Sequence, residues 1–301
     1  MVRFDTGWRA VVRVWFVPDG SGLAVRGLGA PPQVWTFADP GRREELHHPA
    51  IDFGTEWSPD LSLVAVPLGE LDLQFGVTGV QLYRGSNWVW TDDNLSLGTL
   101  TLTFSPTGSR LWGVGARFHS RHFDYSVLAW DTADGQRLLT VGAPTSIDWI
   151  VPSPDGRLAV ARTGSADGIC FLNVFDESWR RTVSQPIRIH SLAWCPDSHI
   201  VAVGTSEGVA LIDALTAQLV TRAQGPHQPA AAVAVHPQRP FFLSGGDEAV
   251  RLWAYDEHSL TQRESFDWQI GRVATLAISP DGMLAAAGSA DGHIVVWDLA
   301  D

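Results

Sequence analysis

His227, Ser244 and Asp247 lie close together in the chain. They are the residue types of an acyl-transfer triad, in which a base activates a hydroxyl nucleophile. No nucleophile elbow or oxyanion-hole motif accompanies them, so the set does not read as catalytic. A second constellation is Arg117-Phe118-His119-Ser120-Arg121-His122-Phe123-Asp124-Tyr125. His119, His122 and Asp124 are metal-ligand types. Yet His-x-x-His without a second pair at matching spacing is a weak zinc signature, and neither a metal nor a cofactor is expected. Arginines and aromatics are the types favoured at binding hot spots. Phe118, His119, Arg121 and His122 are therefore candidate partner contacts; the alternative is that Phe118, Phe123 and Tyr125 pack on neighbouring elements. All 21 basic residues are arginine, which removes Schiff-base chemistry through lysine. Cys170 and Cys195 have no metal-type spacing and read as buried free thiols. No glycine-rich phosphate loop is present.

The elements that position these residues come from a repeat. A short tag recurs as Pro18-Asp19-Gly20, Ser58-Pro59-Asp60, Ser105-Pro106-Thr107-Gly108, Ser153-Pro154-Asp155-Gly156, Cys195-Pro196-Asp197, His236-Pro237 and Ser279-Pro280-Asp281-Gly282. Its prolines are 41, 47, 48, 42, 41 and 43 residues apart. A period of about 40–45 residues is that of a four-stranded propeller blade. The last repeat shows the plan. Val273–Ile278 is an apolar run, Ser279–Gly282 a turn, Met283–Gly288 a second run, Ser289–Gly292 a turn, and His293–Asp298 a third run. Short runs bounded by Gly, Pro and Asp read as strands of a meander. Third strands end near Trp35, Tyr83, Trp130, Leu172, Ile212, Trp253 and Trp297. A fourth strand then leads to the next repeat, as in Gln136–Val141 and Gln218–Thr221.

The Trp130-Asp131 and Trp297-Asp298 pairs, the Ser-Pro-Asp-Gly turns, and Asp291-Gly292 ahead of Trp297 resemble the WD40-repeat family of β-propellers. The resemblance covers residues 1–301 and implies an all-β, seven-bladed propeller forming one domain. Its blade turns lie near Pro18, Pro59, Pro106, Pro154, Pro196, Pro237 and Pro280. The chain ends just after a third strand, so Val2–Asp5 is expected to supply the outer strand of the last blade, close the propeller and mark a complete protein. The resemblance also implies a structural hydrogen-bond network in a good repeat: Trp to Ser, Ser to His, His to Asp. The sixth repeat matches it with His227, Ser244, Asp247 and Trp253. The seventh has Arg272 in place of the His and Ala287 in place of the Ser.

Blades two and three take 24 residues from turn proline to third-strand aromatic, against 16 or 17 in blades one, five, six and seven. The extra residues fall between the second and third strands. The resemblance puts that connection on the top face, where partners dock, and insertions on one face of a repeat array are a natural place for function. The blade-two insertion, Pro67 to Thr78, contains Glu70 and Asp72. Asp92 and Asp93 are expected on the loop into blade three, on the same face. Arg188 and Arg272 each stand eight residues before a turn proline. The resemblance places them at the mouth of a central channel, with Trp268 nearby, as a rim able to receive a carboxylate or an acidic peptide.

Composition bounds the partners. The 301 residues carry a formal charge of −12, which argues against a nucleic-acid backbone as main partner. No apolar run approaches the ~20 residues of a membrane helix, and Met1–Asp5 lacks a signal-peptide layout; a cytoplasmic protein without membrane contact is expected. Abundant Ala, Gly, Pro and Arg suit a G- and C-rich bacterial coding sequence. The expected function is a non-catalytic scaffold, a monomer or the subunit of a hetero-complex, presenting top-face loops to a protein or peptide. The alternative is a small-molecule or metal-dependent propeller enzyme or sensor with its site at the channel.

Overall fold

The computed structural model describes residues 1–39, 42–46, 55–68, 79–95, 97, 99–119, 122–163, 168–181, 188–197, 199–223, 229–256 and 259–299. All regular structure among them is β, arranged as seven antiparallel four-stranded sheets. Contacts group the chain into two units, Met1–Leu46 with Gln185–Asp301, and His47–Ser184.

The first unit holds four blades. Blade one is Val11–Phe16, Gly22–Gly27, Gln33–Thr36 and Arg43–Glu45. Blade five is Ile189–Trp194, Ile200–Thr205, Gly208–Asp213 and Gln218–Arg222. Blade six is Ala232–Val235, Phe241–Gly245, Ala249–Tyr255 and Leu260–Asp267. Blade seven is Val273–Ile278, Leu284–Ser289 and His293–Asp298, completed by the N-terminal strand Val2–Asp5. Val2 pairs with Val296 and Asp5 with His293, as the repeat count predicts.

The second unit holds three. Blade two is Glu56–Trp57, Leu63–Leu68, Gly79–Arg84 and Asn87–Asp92. Blade three is Thr99–Phe104, Arg110–His119, His122–Asp131 and Arg137–Gly142. Blade four is Ile147–Pro152, Leu158–Thr163, Ile169–Asn173 and Trp179–Arg181.

The tag is a self-satisfying turn between first and second strands. The serine hydroxyl accepts the N–H five residues on: Leu63 to Ser58 at 2.9 Å, Leu158 to Ser153 at 3.0 Å, Leu284 to Ser279 at 2.8 Å. It donates to the aspartate two residues on, at 2.5 Å for Asp60, 2.6 Å for Asp155 and 2.5 Å for Asp281. The Ser279 hydroxyl and the Met283 N–H hold the Asp281 carboxyl below the ordinary carboxylate range. The last tag position is left-handed, at φ 71° in Gly108 and 76° in Gly282, which glycine adopts without steric cost. Blade two puts Leu61 there at φ 61°.

Between neighbouring blades of a unit, alternate side chains form one apolar layer. Val11, Val14, Trp35, Ile294 and Val296 pack blade one on blade seven. Leu102, Leu128 and Trp130 of blade three meet Leu82 and Trp90 of blade two. A bulge precedes the third-strand marker in blades two, three, five and six, at Tyr83, Trp130, Ile212 and Trp253. Bulges of this kind re-aim a side chain at a fixed point of the ladder.

Candidate partner-binding site

The blade-three insertion is not the loop that its sequence suggests. It lengthens two strands to ten residues each, against six or fewer for their counterparts in the other blades of this unit. The ladder continues through Arg117↔Asp124 and Phe118↔Phe123 to His119↔His122. The flanking strands stop earlier, with Thr99 opposite Ala116 and Gly142 opposite Ser126. Alternating aromatics favour such extension, because Phe and Tyr suit a pleated surface. Phe118, His119 and His122 occupy its terminal register positions, and Arg121 lies outside the described residues. Tyr125 is partly buried and joins the layer between blades three and four. Phe123, 6.3 Å from Tyr125 by ring centroids, remains 53% exposed. One aromatic thus packs and the next faces solvent, which sequence alone left open.

Arg188, Arg272 and Trp268 belong to the first unit. Arg188 is exposed ahead of blade five, where its carbonyl accepts Ser206 N–H. Arg272 is also exposed, but its Nε donates to Gly246 O at 2.9 Å, tying blade seven to blade six. Trp268 is a packing residue: it stacks on Phe266 at 5.3 Å and touches Trp297 at 4.4 Å. The blade-two insertion lies outside the described residues from residue 69 onward.

Asp92 lies at the end of a strand, not on the loop expected for it. It ends the outer strand of blade two and accepts Trp130 Nε1 at 2.7 Å. Arg137 of blade three grips the same carboxylate at 2.6–3.0 Å. An acid spaced one blade ahead of a Trp and an Arg was the signal available in the sequence.

In blade six, Trp253 Nε1 donates to Ser244 Oγ at 2.8 Å. The Asp247 carboxylate is held by both terminal nitrogens of Arg251, at 2.8 and 2.6 Å. The Arg251 bond is the largest cause holding Asp247 below the ordinary carboxylate range. His227 lies outside the described residues. A serine bonded to an indole and an aspartate clamped by arginine are not a poised nucleophile and its orienter. Cys170 and Cys195 are buried thiols, not joined in a disulfide. Burial pushes the Cys195 thiol up to about 12, which suppresses thiolate chemistry at neutral pH. Among the described residues, no three His, Cys, Asp or Glu side chains converge as a metal site.

The model of the family "WD domain, G-beta repeat" matches residues 219–254 and 265–298. These two segments are WD40 repeats. The chain is 28% identical over 109 residues to the rat serine-threonine kinase receptor-associated protein, covering 36% of this chain and 31% of that one. It is 26% identical over 204 residues to an uncharacterized WD repeat-containing protein of Schizosaccharomyces pombe, covering 64% and 32%. The matches thus span about a third of these relatives' length. A chain in the crystal structure of a mitotic checkpoint complex shares the fold over all of this chain and 91% of its own, with a TM-score of 0.72 and 18% identity. The chain has the all-β fold of a seven-bladed propeller, and its N-terminal strand completes the last blade.

The WD40 tryptophans of blades six and seven differ in one bond. Trp253 pairs with Phe242, and Ser244 stands two residues on. Trp297 pairs with Ala285, and Ala287 stands two residues on. With no hydroxyl there, Trp297 Nε1 is buried without a partner among the described residues. Ser244→Ala is expected to cost about 1–3 kcal/mol, the penalty of orphaning a buried donor. Ala287→Ser is expected to stabilise by about 1 kcal/mol by supplying that acceptor. Urea denaturation checks both, and matching signs for the two variants would remove this account.

Proposed function

We propose that this WD40 protein is a non-catalytic interaction module whose blade-three hairpin contacts a protein or peptide partner. The observation that supports this most is Phe123, more than half exposed on a regular ten-residue strand. An aromatic held by a ladder is a rigid anchor, so little ordering entropy is lost on contact. Phe118, His119 and His122 occupy the end of the same ladder, and the sequence adds Arg121 as a candidate contact. The naming of the rat relative for association with a kinase receptor, and the neighbour's place in a multiprotein complex, support an assembly role.

The test is a photo-crosslinker placed at position 123, followed by affinity measurement with the protein it captures. Phe123→Ala is expected to weaken that complex at least about tenfold, a loss of 1.4 kcal/mol, with the urea midpoint unchanged. Undiminished affinity would reject the hairpin as the contact.

A further inference from the structure

Blade six departs from the tag at one atom set. Where blades two, three, four and seven use a serine, it has His236, a side chain only 2% exposed. Its Nδ1 accepts two backbone N–H groups, from Gln238 at 3.0 Å and Arg239 at 2.8 Å. A nitrogen facing two donors carries no proton, so the ring proton sits on Nε2. Nε2 reaches across to blade seven and donates to Gly282 O at 3.2 Å. The fit is close, since a Cβ at Gly282 would overlap Nε2. Phe241 covers the ring at 4.5 Å. The imidazole is therefore both the inner brace of its own turn and the tie to the next turn.

Proton uptake cannot be accommodated there. A proton on Nδ1 would point at two N–H groups and leave both without an acceptor. The cation would be buried, and the charged group of its own turn is Arg239, of the same sign. From blade seven the charged residue is Asp281, whose carboxylate is already engaged by the Ser279 hydroxyl and the Met283 N–H. From the second strand of blade six, the uncharged Phe241 covers the ring.

We propose that His236 is a proton-operated latch between blades six and seven: protonation of Nδ1 opens the Pro237–Pro240 turn and releases the Gly282 turn. Burial, with a smaller contribution from Arg239, already holds the imidazole below its ordinary value. The sign follows. With the folded value depressed, the unfolded or opened state binds the extra proton, so the latch is secure above about pH 6.5 and weakens as pH falls below it.

Hydrogen exchange on the full chain at pH 7.5 and 5.5 tests this, corrected for intrinsic rates. Segments 236–241 and 279–284 are expected to lose protection by up to about tenfold at the lower pH, the ceiling for one proton taken up one pH unit below the ordinary histidine value. The serine-built turn Ser153–Leu158 is expected to stay unchanged. His236→Ser, which restores the tag, is expected to abolish the difference. Equal responses in the two turns would overturn the latch. So would an NMR titration of the wild-type imidazole at or above about 6.5, a readout that needs no variant.

Discussion

Trp35→Ala is expected to remove about 4 kcal/mol of unfolding free energy, in the range for truncating a buried tryptophan. Trp35 is 1% exposed and sits where blade one meets the N-terminal strand. Phe4 of that strand meets its ring edge-on at 5.2 Å, and the Arg43 guanidinium lies over it at 4.3 Å. Arg43 in turn donates to the carbonyls of Asp5 and Thr6 at 3.2 and 3.4 Å. Deleting the indole thus takes away the seat of Phe4 and the platform of Arg43 together. Urea denaturation gives the loss, and hydrogen exchange is expected to show faster exchange in residues 2–5. A loss below about 1.5 kcal/mol, less than burial of one large side chain, with residues 2–5 still protected, would rule out this role.

Asp92→Ala is expected to cost about 3 kcal/mol. The carboxylate joins the fully buried Trp130 and Arg137 of blade three to blade two. Hydrogen bonds to charged groups contribute about 1.5–3 kcal/mol, and an orphaned buried N–H adds a penalty of similar size. The Arg137 share is discounted, because its side chain is 33% exposed and solvent screens such pairs. Asp92→Asn keeps one acceptor for the indole and is expected to lose about 1 kcal/mol. Burial acts to raise the Asp92 carboxyl, but the Trp130 and Arg137 bonds outweigh it and leave the group below the ordinary range. Its contribution is therefore complete above the unfolded value of about 3.9 and fades as pH falls through the folded one. Wild type and Asp92→Ala are expected to converge in strong acid. Equal stability at pH 7 would show the network to be idle.

Particular residues show why some of this was legible in the chain and some was not. The Ser-Pro-Asp-Gly turn is local: its donors, acceptors and left-handed glycine lie within six residues, so the tag reports it directly. The same locality made Ser244 readable as the partner of Trp253 across one hairpin. The 48-residue spacing after Pro106 marked blade three as unusual, but spacing does not distinguish a loop from two longer strands. Asp247 has Arg251 four residues away, a choice the family pattern hid.

By itself the sequence determined the number of blades, the turns that separate their strands, and the N-terminal strand's place in the last sheet. All three follow from local turns and their recurrence every 41–48 residues, which leaves the last repeat one strand short. Only the tertiary structure decided where along the hairpin packing stops, so that Tyr125 is covered and Phe123, two residues away along the same face, is exposed. It also decided that Asp92 serves a tryptophan 38 residues on, and that His236 braces a glycine 46 residues away in the next blade. Those outcomes depend on how neighbouring sheets pack face to face, and no local periodicity records the partner that packing brings near.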